Sequence, residues 1–165
     1  MYSYIKGTVT DIVSNAIIIE TNGIGYFVNT PNPFVFEVGK EYQIYLYQQI
    51  KEDEHNLFGF KDKSEKELFL KLISVKGLGP KMALPIIASA SVSGISDAIN
   101  RENILYLKKF PKIGEKLAKQ IILDLKGKLD SDNLTVEEEN TKEELKEALL
   151  GLGYKEKEIK SVILK

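Results

Sequence analysis

The amino-acid sequence predicts an α+β chain of several parts: a five-stranded closed β-barrel, an all-helical segment built on two glycine turns, a polar linker and a small helical C-terminal piece. Three observations carry this. Apolar residues recur with a period of two up to position 62 and with a helical period from Ser64 onward. The segment VKGLGPKMA at 75–83 is echoed 35 residues later by FPKIGEKLA at 110–118. Charge is unevenly spread along a chain whose total is −1.

Residues 1–62 read as strands. GTVTDIV and AIIIET are β-branched runs, and Asn22-Gly23 is the two-residue hairpin signal, since both residues tolerate the positive φ of a type I′ turn. GYFVNT follows. PNPF marks a loop that no central strand would accept. In EYQIYLYQQI, Tyr42, Ile44 and Leu46 alternate with Gln43, Tyr45 and Tyr47, and NLFGF completes the set. Short strands in this number suit a closed barrel, which leaves no exposed edge.

Ser64 and Glu67 form a capping-box pattern ahead of Leu68, Leu72 and Val75 at helical spacing. Helix is expected on to Lys128, interrupted by the two glycine turns and by SVSG. Pro80 suits a first helical turn, whereas Pro85 predicts a kink or an early break. Residues 129–140, LDSDNLTVEEEN, are polar and aperiodic and read as a flexible linker. In 141–165, Thr141 and Glu144 make a second capping-box pattern. Leu145, Ala148, Leu149 and Leu152 then form one stripe, and Ile159, Val162 and Ile163 another. Two such helices bury little alone, so this piece is expected to present a partner-binding face.

Composition narrows the function classes. No cysteine is present, which excludes disulfides and thiolate metal sites, and His55 is the sole histidine, which speaks against a His-based metal site or dyad. No apolar run reaches membrane-spanning length, and the N-terminus lacks the order of a signal peptide, so a cytoplasmic protein with no membrane partner is expected. Residues 1–62 carry net −4, residues 63–128 net +7 and residues 129–165 net −4. A basic middle segment between acidic flanks fits a nucleic-acid footprint, and equally a solvated lysine-rich surface. Arg101 is the only arginine, so phosphate contacts would rest on lysines and backbone N–H groups. No Walker A, G-x-S-x-G or H-E-x-x-H sequence is present, so a self-contained ATPase is not expected.

The repeat is the most informative motif. Gly79 aligns with Gly114, Lys81 with Lys116, Ala83 with Ala118, Leu72 with Leu107, and Ile86-Ile87 with Ile121-Ile122. In a helix–hairpin–helix unit the glycine lets backbone approach a ligand, and the second helix offers unpaired N–H groups and a partial positive charge to phosphate. A first-turn lysine adds an ion pair, and such contacts do not read sequence. Two plain helix caps remain the alternative reading. Gly151-Leu-Gly153 also reads G-x-G, but YKEKE follows it, which fits capping alone. KEDEHN at 51–56 forms an acidic tip between the last two strands. Such a tip is usually a solvated turn; beside a DNA-binding face it would repel phosphates.

NGIGYFV, KEDEHNLFGF, LFLKLISVKGLGPKMAL, FPKIGEKLAKQII and EALLGLGYKEKEI, in that order, resemble the bacterial RuvA family, the Holliday-junction-binding subunit of the RuvAB branch-migration machine. The resemblance implies an OB-fold barrel at 1–62, a tandem helix–hairpin–helix domain at 63–128, the linker 129–140, and at 141–165 a UBA-like domain that engages the RuvB motor. It implies a homotetramer that holds a junction open and square, with a second tetramer able to cover the other face. RuvB, a hexameric motor, and the RuvC resolvase would be partners. No cofactor is implied, since ATP is used by RuvB. Glu52 and Asp53 match the family's acidic pin, with Lys51 beside it. The phosphate-binding turns carry over to Gly77, Leu78, Gly79 and Lys81, and to Lys112, Ile113, Gly114 and Lys116. Two departures stand out: Lys112 replaces the usual first glycine of the second turn, and 141–165 is short for the family's third domain. A helix–hairpin–helix repair enzyme, glycosylase or nuclease, is the alternative; Asp124 after the second turn reads more simply as a solvated helix position. An RNA-binding OB protein would leave the paired turns idle.

Overall fold

The computed structural model describes residues 1–129, and the linker and C-terminal expectations, including the Thr141–Glu144 cap, lie outside the described residues. Residues 1–126 pack as one compact unit. Strands β1 (Tyr4–Val13), β2 (Ala16–Thr21), β3 (Ile24–Asn29), β4 (Glu41–Ile50) and β5 (His55–Phe60) close a barrel in the order β1-β2-β3-β5-β4. Asn22 and Gly23 turn the β2–β3 hairpin with φ 51° and 78°, the pair of positive values that a type I′ turn needs. PNPF contributes a short 3-10 turn, Pro33–Val35, opened by Asn32, whose side chain accepts the Phe34 N–H at 3.1 Å. Closure comes from one parallel contact, Val28 opposite Leu57 and Asn29 opposite Phe58. Alternate residues Ile5, Val9, Ile17, Ile19, Val28, Ile44 and Leu46 fill the interior.

Helices α1 (Lys63–Ser74), α2 (Pro80–Ser89), α3 (Val92–Asn100), α4 (Ile104–Leu107) and α5 (Glu115–Leu125) follow. Two local expectations need correction. Helix α1 begins at Lys63 with Asp62 in the N-cap position, where its side chain makes no cap hydrogen bond, so Ser64 is already helical. Glu67 pairs instead with Lys63 one turn earlier, at 3.6 Å. Of the kink or early break expected at Pro85, the break does not occur, since helix α2 runs on to Ser89. The proline sits in its second turn, where only one intrahelical bond is lost, and Ser89 Oγ donates to the Pro85 carbonyl at 2.6 Å.

Phe69 of α1 joins the helices to the barrel. Its ring lies 4.8 Å from Phe60, 5.6 Å from Phe58 and 5.5 Å from Tyr47, all on β4 and β5. Aromatic clusters of this kind add directional packing to their buried area. The strands that carry the acidic tip therefore also carry the helices that bear the glycine turns. Among the described residues no single helix is long and apolar enough to cross a membrane.

Candidate nucleic-acid interface

The two glycine turns share one hydrogen-bond skeleton at an offset of 35 residues. In the first, the Val75 N–H donates to Leu72 O and the Leu78 N–H to Val75 O, both at 3.1 Å. In the second, the Phe110 N–H donates to Leu107 O and the Ile113 N–H to Phe110 O, both at 3.3 Å. Ala83 and Ala118 then close the first helical turn on Gly79 O and Gly114 O, at 3.0 and 2.9 Å. The aligned apolar pairs Leu72/Leu107, Ala83/Ala118, Ile86/Ile121 and Ile87/Ile122 are all buried. The internal repeat of the sequence is thus a repeat of structure: α1–α2 and α4–α5, with α3 between them.

These bonds place Leu78 and Ile113 at the inside of the turns. Both side chains are buried, and both amides are spent inside the turn. They hold the turn together rather than offer donors. The amides of Gly77, Gly79 and Lys81 in the first turn, and of Lys112, Gly114 and Lys116 in the second, have no acceptor among the described residues. Pro80 has no N–H to offer, whereas its counterpart Glu115 does. All six of those residues are exposed.

The helix caps sharpen this. Helices α3 and α4 are closed by their own sequence: Ser91 Oγ accepts the Gly94 N–H at 3.1 Å, and Asn103 Oδ1 accepts the Tyr106 N–H at 3.0 Å. Helices α2 and α5 have glycine N-caps with no side chain to do so. Gly79 (φ −94°, ψ 172°) and Gly114 (φ −87°, ψ 175°) are extended, a conformation open to any residue. A Cβ built at either would meet nothing within 4 Å. Neither backbone strain nor crowding among the described residues requires glycine there, and Ser or Asp would cap better. What glycine provides is bare backbone at a positively polarised helix end.

Lysines surround both ends, but not equally. Lys81 Nζ lies 3.7 Å from Glu54 Oε1, so the first turn's lysine already has a carboxylate beside it. Lys112 and Lys116 of the second turn form no ion pair among the described residues. The acid next to them, Glu115, is drawn onto Lys119 at 2.7 Å; that hydrogen bond, with the charges of Lys119 and Lys108, holds its carboxyl below the usual range. Lys112 meets the turn's backbone demand without glycine: its φ is 64°, matching Gly77 at 93°.

The acidic tip is a two-residue hairpin end. The Lys51 N–H donates to Glu54 O at 2.8 Å, leaving Glu52 and Asp53 outermost and exposed, with no ion pair among the described residues. Lys51 lies 4.0 Å from Glu54. Glu54 is the residue that sequence reasoning missed: it joins the tip to Lys81, and no pattern within KEDEHN marks it apart from its neighbours. Beside this contact a groove of about 450 Å³ runs between the barrel end and α2, with Lys81, Asn15, Asn29, Asn56 and Pro85 on its walls. The structure thus brings the tip and the first turn into contact, while the second turn repeats the first in form.

Residues 1–59 match the family model described as RuvA N terminal domain, and residues 69–127 match that described as SAM-like Helix-hairpin-helix tandem. A protein of Pediococcus pentosaceus named Holliday junction branch migration complex subunit RuvA is 44% identical over 172 residues, which span 100% of this chain and 88% of the relative. Proteins of the same name from Streptococcus pneumoniae strains Hungary19A-6 and TIGR4 are 47% identical over 173 residues, 98% of this chain and 88% of each relative.

Proposed function

The chain belongs to the RuvA family, and from that premise we propose that it binds four-way junction DNA without reading sequence and serves branch migration as a non-catalytic subunit. The observation that carries the reading is the pair of open glycine-capped helix ends at α2 and α5, in a molecule that closes α3 and α4 with its own side chains. Each open end offers unpaired amides, a positive dipole end and a lysine to one phosphate. Single contacts of this type are weak. An assembly with fourfold symmetry would match four duplex arms and sum the contacts through effective concentration. Phosphate contacts alone let DNA slide, as branch migration requires.

Glu52 and Asp53 take the pin role in this reading. Held at the tip of β4–β5 and unpaired, they would repel the phosphates of re-stacked arms in a poorly screened junction centre. The motor work would come from RuvB, bound through 141–165, with RuvC as a further partner, a second tetramer on the opposite face and no cofactor on this chain. A cytoplasmic location belongs to the same proposal.

The test is equilibrium competition between a four-way junction and a linear duplex of the same sequence, with the mass of the complex measured in parallel. Preference for the junction, in a complex of four chains or eight, is expected. Equal affinity for the two DNAs would overturn the reading.

A further inference from the structure

Glu54 stands between the two features that the proposed function uses. One carboxylate oxygen lies 3.7 Å from Lys81 Nζ at the first turn. The other lies 4.0 Å from Lys51 Nζ and accepts from Asn56 Nδ2 at 3.3 Å. The remaining acids of the tip, Glu52 and Asp53, reach no lysine among the described residues. Among the described residues the second turn has no equivalent of this arrangement, and Glu115 is engaged by Lys119 of its own helix.

We infer that Glu54 is an internal competitor for phosphate at the first turn. It stands in for the phosphate, offering Lys81 an oxygen anion in the DNA-free protein, and a DNA phosphate takes its place. The inference rests on Lys81 being a phosphate ligand. A carboxylate and a phosphate present the same partner to an ammonium, a charged oxygen. Lys81 is exposed and Glu54 is half-buried, neither in the core, so the exchange needs no rearrangement of the core. The Asn56 and Lys51 contacts keep the Glu54 carboxylate with the hairpin when Lys81 leaves. Phosphate capture therefore strips one positive charge from beside the acidic hairpin, and the hairpin becomes more negative as DNA docks. By linkage, whatever removes the Glu54 charge must tighten phosphate binding at Lys81 by the same factor.

The magnitude is modest and measurable. Exposed ion pairs shift an equilibrium by up to about fivefold per site at low salt. The experiment is a double-mutant cycle on the full chain, with binding to a labelled linear duplex at low ionic strength. Glu54→Gln should tighten binding by about two- to fivefold per engaged turn. In a Lys81→Gln background the gain should shrink to that given by Glu52→Gln. Glu52→Gln, on the same hairpin but without a lysine contact, should have an equal effect in both backgrounds. A Glu54→Gln gain that persists undiminished without Lys81 would show a general field effect and overturn the inference, as would unchanged or weaker binding by Glu54→Gln alone. The two readings fail separately. If Lys81→Gln by itself leaves DNA affinity unchanged, Lys81 is no phosphate ligand and both fall; if it weakens binding but the cycle shows no coupling, only the competitor role falls.

Discussion

Gly77 and Lys112 occupy the same left-handed backbone position in two turns that share a hydrogen-bond skeleton, at φ 93° and 64°. The first turn meets the demand with a glycine, the second with a side chain held under strain. A left-handed residue with a Cβ costs roughly 1–2 kcal/mol. Gly77→Ala should therefore destabilise the protein by about 1 kcal/mol or more, although its Cβ would meet nothing nearer than Leu117 at 3.8 Å. Lys112→Gly should be neutral to stabilising, by roughly 0–1 kcal/mol, because relieved strain is offset by added freedom in the unfolded chain. Urea unfolding should lower the midpoint for Gly77→Ala and leave it unchanged or raise it for Lys112→Gly.

Gly79→Ala and Gly114→Ala make the complementary case. Both positions are extended and face open space, so stability should change by less than about 0.5 kcal/mol. DNA affinity should nonetheless fall, since the new methyl group stands where backbone would meet phosphate. A thermal melt and a binding isotherm on the same samples separate the two effects. Loss of stability without loss of binding would assign these glycines to the fold.

Lys81→Ala and Lys116→Ala should weaken binding to every DNA sequence alike. Each lost phosphate contact should reduce the salt dependence of log affinity by about 0.9 per turn engaged on duplex DNA. The Lys116 change should cost more than the Lys81 change, because Lys81 must first leave Glu54. Fluorescence anisotropy across a salt series measures both slope and order.

Glu65, in the first turn of α1, supplies a pH prediction. Burial, then the nearby Asp62 charge, raises its carboxyl above the ordinary value, with backbone hydrogen bonds from Asp62 and Lys61 opposing. A raised carboxyl means that the folded state holds its proton more tightly than the unfolded state. Stability is then lost as pH rises from the ordinary carboxylate pKa through the raised one, and the full penalty is present at neutral pH. Glu65→Gln should be more stable than the parent at pH 7, with the advantage shrinking as pH falls through the raised value and gone below the ordinary carboxylate value. A pH series of denaturant midpoints for the two proteins checks both the sign and the window.

Much of the site was legible in the chain because its information is short-range. β-Branched runs, the Asn22-Gly23 pair and the 35-residue echo each sit inside a window of a few residues, and each reappears as a strand, a type I′ turn or a repeated glycine turn. The start of α1 was misplaced for the same kind of reason. Asp62 and Ser64 are both good caps by type, and the choice between them rests on where Leu68, Phe69 and Leu72 must point to meet the core.

Residue type and tertiary contact favour different turns. By residue type the first turn, with both Gly77 and Gly79, offers the barer backbone. In three dimensions its lysine is shared with Glu54, while the second turn keeps Lys112 and Lys116 clear of ion pairs among the described residues.

By itself the sequence determined the family, the succession of strands and helices, and the residues that form the turns and the tip. Those follow from local backbone preference and side-chain periodicity, which act between near neighbours in the chain. Only the tertiary structure decided that Val28 meets Leu57 to close the barrel, that Phe69 seats the helices on β4 and β5, that Leu78 and Ile113 turn inward, and that Glu54 reaches Lys81. Barrel closure, the Phe69 packing and the Glu54 contact join residues distant in sequence, and the burial of Leu78 and Ile113 depends on what packs over the turns. All four are set by how the folded elements pack, which no short stretch of residues encodes.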